Sequence, residues 1–324
     1  MKQYDINPIL EQVRSILKTH RLGTGVYARY LNQQEANPYG CADAANILYT
    51  INEFPRDPAE RQAWVDTLRS FQDPETGLFQ EGSHHIYHTT AHCVAALELF
   101  DAMPAYPLTE LKKFLDIREL KNMLDGIDWL HCGQGAHAGA GLYAALVITD
   151  TADEAWREDY FRLFNEACNP EKGMWVEEPV GKFPVWNQMG DAFHYLFNYE
   201  HHHEPFPYPD KLIDSCIWMY RNGLMPEKFG RWFHFVEMDW VYCLNRASRQ
   251  TKHRFEEVQA TLLDFAEKYL DYLYNVDWPN DPGANDVHLL FGVICCLAEL
   301  QQALPGLIRS AKPLRLVLDR RPFI

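Results

Sequence analysis

The chain has 324 residues, 47% of them hydrophobic, which is enough to bury one large core or two ordinary ones. Its formal net charge of −15 disfavours non-specific binding to nucleic acid or to anionic membranes. No apolar run approaches the ~18 residues that a membrane span needs, and we see no signal peptide. The eight cysteines form no CxxC pair, which indicates reduced thiols rather than a disulfide framework. We therefore expect a cytoplasmic protein with no nucleic-acid or membrane partner. We make no prediction about its oligomeric state.

Polar, amphipathic stretches alternate with apolar ones along the chain, six of each kind. The polar stretches predict helices at residues 7–19, 58–71, 108–130, 153–168, 209–222 and 253–274. The apolar stretches predict helices buried on most faces at residues 41–51, 88–100, 136–148, 188–199, 236–247 and 285–300. The apolar stretches begin roughly every 48 residues, within the range of helical-pair repeats.

This alternation predicts an all-α (α/α)6 barrel, or toroid, with six outer and six inner helices. No stretch alternates with period two over a long run, so we expect almost no sheet. No linker rich in Gly, Ser or Pro divides the chain, so residues 1–324 form a single domain. Residues 304–324 are expected to be a C-terminal tail packed on the outside of the barrel.

A turn motif occurs twice between a polar and an apolar stretch, as FQDPETGLF at 71–79 and CNPEKGMW at 168–175. RNGLM at 221–225 is a degenerate third copy. Gly77, Gly173 and Gly223 are expected to supply the left-handed residue that ends each outer helix.

The stretch QDPETGLF followed by HHIYHTTAHCVAALELF resembles the repeats of α/α-toroid proteins. One branch that it resembles is the six-hairpin glycosidase group. The other is the terpenoid cyclase and protein prenyltransferase group. The resemblance implies a toroid fold and an enzyme, but the Asp-x-Asp-Asp cyclase motif and the repeated Gln-and-Trp motif of squalene cyclases are both missing.

If the inner helices run in one direction, their N-termini converge on one mouth, and unusual polarity is concentrated there. The positive ends of six helices favour carboxylates and anionic groups of a substrate. The candidate site residues are Tyr39, Asp43, His85, His88, His92, His137, Trp186, Asn187, Asp191, Trp232, His234, Glu237, Asp239, Asp286 and His288.

These residues favour an enzyme that acts on a carbohydrate, as a glycoside hydrolase, a lyase or an epimerase. Asp191 and Asp239 are at the same depth on consecutive inner helices, so they are the expected acid–base pair. Asp43 is a further catalytic candidate, and His88 or His137 is a candidate base. The remaining candidates are expected to bind a small-molecule or oligosaccharide substrate, with Trp186 and Trp232 stacking on sugar rings.

Three alternatives stay open. No cofactor is favoured, but His88 and His92 have the i, i+4 spacing of two ligands to one zinc ion, with His137, Cys132 or Asp43 as the third. The chain is alternatively a terpenoid or prenyl type of toroid enzyme with an apolar interior. It is otherwise a non-catalytic toroid that binds a glycan or a partner.

Overall fold

The computed structural model describes residues 3–129, 136–176 and 184–324. Helices dominate these residues, which confirms the all-α class. The helices are Asn7–His20 (α1), Pro38–Thr50 (α2), Pro58–Ser70 (α3), Ile86–Leu99 (α4), Ile117–Asp125 (α5), Ala136–Ile148 (α6), Glu154–Ala167 (α7), Val185–His202 (α8), Pro209–Arg221 (α9), Phe235–Gln250 (α10), Phe255–Asn275 (α11), Val287–Ala303 (α12) and Val317–Arg320 (α13), with a 3₁₀ helix at Thr109–Leu115.

The strands are short and stand at the edges of this helical structure. They are Tyr4–Asp5 (β1), Arg21–Gly23 (β2), Val26–Tyr27 (β3) and Ile308–Arg309 (β4). The strand β1 pairs in parallel with β4, and β2 pairs antiparallel with β3. None of the described helices is both long enough and apolar enough to cross a membrane.

Six largely buried helices correspond to the six apolar stretches of the sequence. We call these six the inner helices. Each of them contacts the next along the chain, from α2 through α4, α6, α8 and α10 to α12, and α12 contacts α2 again. Polar helices lie against this set: α3 contacts α2 and α4, α9 contacts α8 and α10, and α11 contacts α10 and α12. The polar and apolar stretches therefore correspond to two classes of helix with different neighbours.

The helices α4 and α6 approach each other closely. A Cβ atom added to Gly141 would lie 2.6 Å from the carbonyl oxygen of Tyr87, so a side chain there would push the two helices apart. This contact explains the small residues of the α6 sequence, and it holds the N-terminal ends of α4 and α6 next to each other.

The turn motif has the conformation that its residues predict, although it ends only one helix. Gly77, Gly173 and Gly223 have φ values of 78°, 69° and 64°. Gly223 lies two residues after α9, but Gly77 and Gly173 lie well beyond the ends of α3 and α7. They close a turn instead, in which the Gly77 N–H donates to the Asp73 carbonyl at 2.9 Å.

The sequence suggested a C-terminal tail on the outside of the barrel, but part of this tail is buried. Arg321, Phe323 and Ile324 are at most 1% exposed, and the Phe323 ring contacts His88, His194 and Phe197. Its basic residues led to the expectation of an exterior tail, but Arg321 donates a hydrogen bond to the buried Asn46. The last residues are thus part of the core between the inner helices.

Candidate functional site

The N-terminal parts of five inner helices and the loop before α2 surround one cavity of about 230 Å³. Local caps set where these helices begin: the Asp286 carboxylate accepts from the His288 N–H, and the rings of His85 and His234 accept from N–H groups two residues on. The cavity is lined by Arg29, His84, His88, His137, Trp186, Asn187, Gly190, His194, His234, Phe235, Val236, Asp239, His288, Leu289 and Ile324.

Three histidines on consecutive inner helices share this cavity. Candidate ligand atoms of His88, His137 and His194 all lie within 4.8 Å of one another. Burial lowers the pKa of all three rings, that of His137 to about 3. The imidazoles are therefore neutral at pH 7, and each can offer one lone pair to a ligand or a proton.

A second group lies behind the cavity, centred on the buried Asp43. Its Oδ1 is 2.8 Å from the Nε2 of His92, and its Oδ2 is 3.1 Å from the Nδ1 of His288. Burial alone would raise the pKa of Asp43, but the two histidines hold it well below its usual value. Asp43 is thus an ionised carboxylate with both oxygens occupied, and it orients two imidazoles.

Asp239 is the carboxyl group that lines the cavity itself. It is 7% exposed, and no described residue makes a hydrogen bond to its Oδ1. Burial raises the pKa of Asp239 well above its usual value, and the nearby charges of Glu237 and Asp191 raise it further. Asp239 therefore keeps its proton to a higher pH than an exposed aspartate does, which suits a proton donor.

The Asp191 carboxylate, expected to face Asp239 across a substrate, has a different position. Asp191 is fully buried and is not among the residues that line the cavity. Its Oδ1 lies 3.1 Å from the Nε2 of His137. Its charge raises the pKa of Asp239, so the two carboxyls are neighbours, and Asp191 contacts the cavity lining at His137.

The other candidates divide into those that line the cavity and those that lie outside its lining. Trp186, Asn187, His234 and His288 are lining residues. The remaining candidates lie outside the lining: Tyr39, Asp43, His85, His92, Asp191, Trp232, Glu237 and Asp286.

Several of these outer candidates have a structural contact. The Tyr39 hydroxyl bonds to the Nδ1 of His88 at 2.6 Å. Trp232 stacks on His234 with ring centroids 4.2 Å apart, and Glu237 accepts from the Gly230 N–H at 2.8 Å. The Asp286 carboxylate pairs with Arg29 at 3.1 Å. Cys132, suggested as a metal ligand, lies outside the described residues.

Three polar residues that line the cavity, Arg29, His84 and His194, are not among the candidate site residues. His194 had a signal, because Asn187, Asp191 and His194 follow i, i+4, i+7 spacing and so share one face of α8. Arg29 had none, since it lies in the loop before α2, outside the repeat. Its guanidinium contacts Asp286 and donates to Ser83 at 2.6 Å, which brings a positive charge to the cavity wall.

Comparisons of this chain with protein-family models, with curated proteins and with solved structures found no match.

Proposed function

We propose that the chain is an (α/α)6-toroid enzyme that performs acid–base chemistry on a small saccharide in this cavity. The closed order of contacts among α2, α4, α6, α8, α10 and α12 supports the toroid. The histidine, aspartate and arginine side chains around the helix N-termini support a catalytic use of its mouth.

The observation that carries the proposal is an acid with a raised pKa next to imidazoles with lowered pKa values. Asp239 is positioned in the cavity wall, with a pKa raised chiefly by burial. His88 and His137 line the same cavity, with pKa values lowered by burial. One group can give a proton and the others can accept one at the same pH, which is the division of labour that general acid–base catalysis needs.

The size of the cavity favours a small substrate. A volume of about 230 Å³ corresponds to roughly eight water molecules at the ~30 Å³ each has in the liquid. A single sugar ring is therefore near the upper limit without movement of the wall.

The hydrogen-bonding side chains around the cavity favour a sugar over an isoprenoid. Five histidines besides His137, together with Arg29, Asn187 and Asp239, contribute to its lining. The aromatic residues that could have formed an isoprenoid chamber contact each other instead: Phe193 packs on Phe197 and on Tyr242. Trp186 remains available at the wall to stack on a sugar ring.

Turnover of a panel of mono- and disaccharides, glycosides and uronates, followed by proton NMR, tests this proposal. We expect the wild-type protein to convert at least one compound. Replacing the acid in Asp239→Asn should then lower kcat at least about 100-fold, because proton transfer typically contributes that much.

The matched control is Asp125→Asn, which removes an exposed carboxylate paired with Lys121. It should leave turnover unchanged and keep the melting temperature within a few degrees, and Asp239→Asn should not melt below the wild type. A panel in which nothing is converted, or an Asp239→Asn protein with full activity, would contradict the proposal.

A further inference from the structure

We infer that His88, His137 and His194 bind a divalent transition-metal ion, with zinc as the best match, and leave one coordination position open to the cavity. The three residues come from α4, α6 and α8, and all line the cavity. Their exposed fractions are 2%, 6% and 8%, so they form a built, buried group rather than a surface cluster.

Each of the three rings has a polar contact at one nitrogen, and for His88 and His194 that contact is a hydrogen bond. The Nδ1 of His194 is 2.7 Å from the Gly190 carbonyl, to which only an N–H can donate, so its Nε2 carries the lone pair. The Nδ1 of His88 contacts the Tyr39 hydroxyl at 2.6 Å. The Nε2 of His137 contacts Asp191 at 3.1 Å. In each ring the other nitrogen is the candidate ligand atom.

This pattern is the one that supports metal-bound histidines. A ligating imidazole commonly donates its second N–H to a carboxylate or a backbone carbonyl, which fixes its tautomer and its orientation. Asp191 and the Gly190 carbonyl supply these two kinds of partner here. Asp191 is then a positioning residue that acts through His137.

Electrostatics also favours a cation at this point. Candidate ligand nitrogens of three neutral imidazoles lie within 4.8 Å of one another. A divalent ion satisfies all three at once, and it binds the deprotonated imidazole that burial already favours. Nitrogen ligands of this type suit zinc, copper, iron and nickel rather than magnesium or calcium.

The neighbouring group of Asp43, His92 and His288 does not need an ion. Its atoms are also within 4.8 Å of one another, but they are close because both histidines hydrogen-bond to the carboxylate. An ion there would have to displace both bonds. The i, i+4 pair suggested by the sequence is therefore divided, with His88 in the metal group and His92 in the Asp43 group.

Ligand nitrogens of tetrahedral zinc, at about 2.0–2.1 Å from the ion, lie about 3.4 Å apart. The rings must therefore move inwards by up to about an ångström on binding. Three protein ligands leave a fourth position for water, whose pKa zinc lowers towards 7. Such a water would take over from the imidazoles as the proton acceptor of the proposed reaction, but metal binding itself does not depend on that reaction.

The test is metal binding by the full chain after chelator treatment, measured with Zn²⁺ and with Co²⁺ alone and without substrate. We expect about one equivalent of each, and a cobalt visible spectrum of tetrahedral intensity. His194→Asn should weaken zinc binding at least about 100-fold, and Asp191→Asn about 10- to 100-fold, as loss of an outer-shell partner does. The control His92→Asn should bind zinc as the wild type does.

X-ray absorption at the zinc edge of the wild-type protein keeps the test independent of how the variants fold. It should show about three imidazoles at 2.0–2.1 Å. A shell of two imidazoles with a carboxylate would place the ion at Asp43 and overturn the inference. The absence of stoichiometric binding would do so as well, and so would binding that survives His194→Asn but is lost when the exposed His203 and its neighbours His201 and His202 are replaced.

Discussion

At the scale of single residues, the fold opposes the ionisation of Asp239. The carboxyl is almost fully buried, and the charges of Glu237 and Asp191 add to the effect of burial. The pKa of Glu237 is itself raised by burial to about 8. Two neighbouring acids on α10 thus ionise at a higher pH in the folded protein than in the unfolded chain.

We predict that Asp239→Asn becomes more stable relative to the wild type as the pH rises. Because the folded pKa lies above the unfolded one, the native state binds more protons than the unfolded chain, so the wild type loses stability as the pH rises between the two. The loss is at most about 1.4 kcal/mol per pH unit, beginning near the unfolded pKa of about 3.9. Urea unfolding from pH 4 to pH 8 measures it.

The difference between the two proteins isolates this residue, because the buried histidines contribute equally to both. Glu237→Gln should give a difference of the same sign that ends near pH 8, where the folded pKa of Glu237 lies. A stability difference between Asp239→Asn and the wild type that does not change over this range would show that Asp239 is ionised in the folded protein.

At the scale of elements, the loop at Gly77 depends on a conformation and a space that only glycine fits. Its φ is 78°, and a Cβ there would collide with the Pro107 carbonyl oxygen. Asp73 organises the loop by accepting from the N–H groups of Glu75 and Thr76 at 2.9 and 2.7 Å. The turn thus joins α3 to the segment that carries the cavity histidines.

Gly77→Ala should lower the free energy of unfolding by about 2–5 kcal/mol, the sum of a left-handed backbone penalty and a steric clash. Gly223→Ala isolates the first term, because its φ is 64° with no atom within 4 Å of the added Cβ, and it should cost about 1–2 kcal/mol. Gly82→Ala, which has neither feature, should stay within about 0.5 kcal/mol. Equal effects for Gly77→Ala and Gly82→Ala in urea unfolding would contradict this account of the turn.

The sequence predicted the helices well because their periodicity and composition are local properties. All six polar and all six apolar stretches contain helices of the structure, including α3, whose start follows from Asp57 accepting from the Glu60 N–H. It predicted less well what depends on tertiary contacts. The sequence around Gly77 does not show that this glycine closes a loop rather than ending α3. The loop depends on packing against the segment at Pro107, which is distant in sequence.

For the site as well, the sequence predicted what depends on local pattern and missed what depends on tertiary contacts. The sequence gathered His88, His137 and Asp239 at one mouth because each begins or lies near the start of an apolar helix. It could not separate His88 from His92, because the difference is which neighbour each meets: Tyr39 for the first and Asp43 for the second. The place of Arg29 in the cavity could not be predicted for the same reason, because it depends on a contact with Asp286, which is distant in sequence.

At the scale of the whole molecule, a buried ion network ties the C-terminal segment to the inner helices. The guanidinium of Arg246 lies 2.5 Å from Glu299, 2.6 Å from Asp319 and 3.2 Å from Glu200. The Arg246 and Glu299 side chains are each 2% exposed. These residues belong to α10, α12, α13 and α8, so one cation holds four helices together.

Arg246→Met should lower the free energy of unfolding by about 3–5 kcal/mol, because it leaves the buried Glu299 carboxylate without its charge partner. Arg162→Met, which removes an arginine paired with Asp159 on the surface, should cost less than about 1 kcal/mol. Adding Glu299→Leu to Arg246→Met should recover part of the loss. If the two single arginine variants unfold at the same urea concentration, the network does not hold the helices as described.

The most direct measurement of the central claim is a crystal structure of the Asp239→Asn protein with the saccharide that raises its melting temperature most. The account predicts one sugar ring in the cavity, with a hydroxyl or glycosidic oxygen within hydrogen-bonding distance of the side chain at position 239. The ring should also lie against Trp186 and face the group of His88, His137 and His194. A sugar bound elsewhere on the protein, with only water in this cavity, would contradict the account.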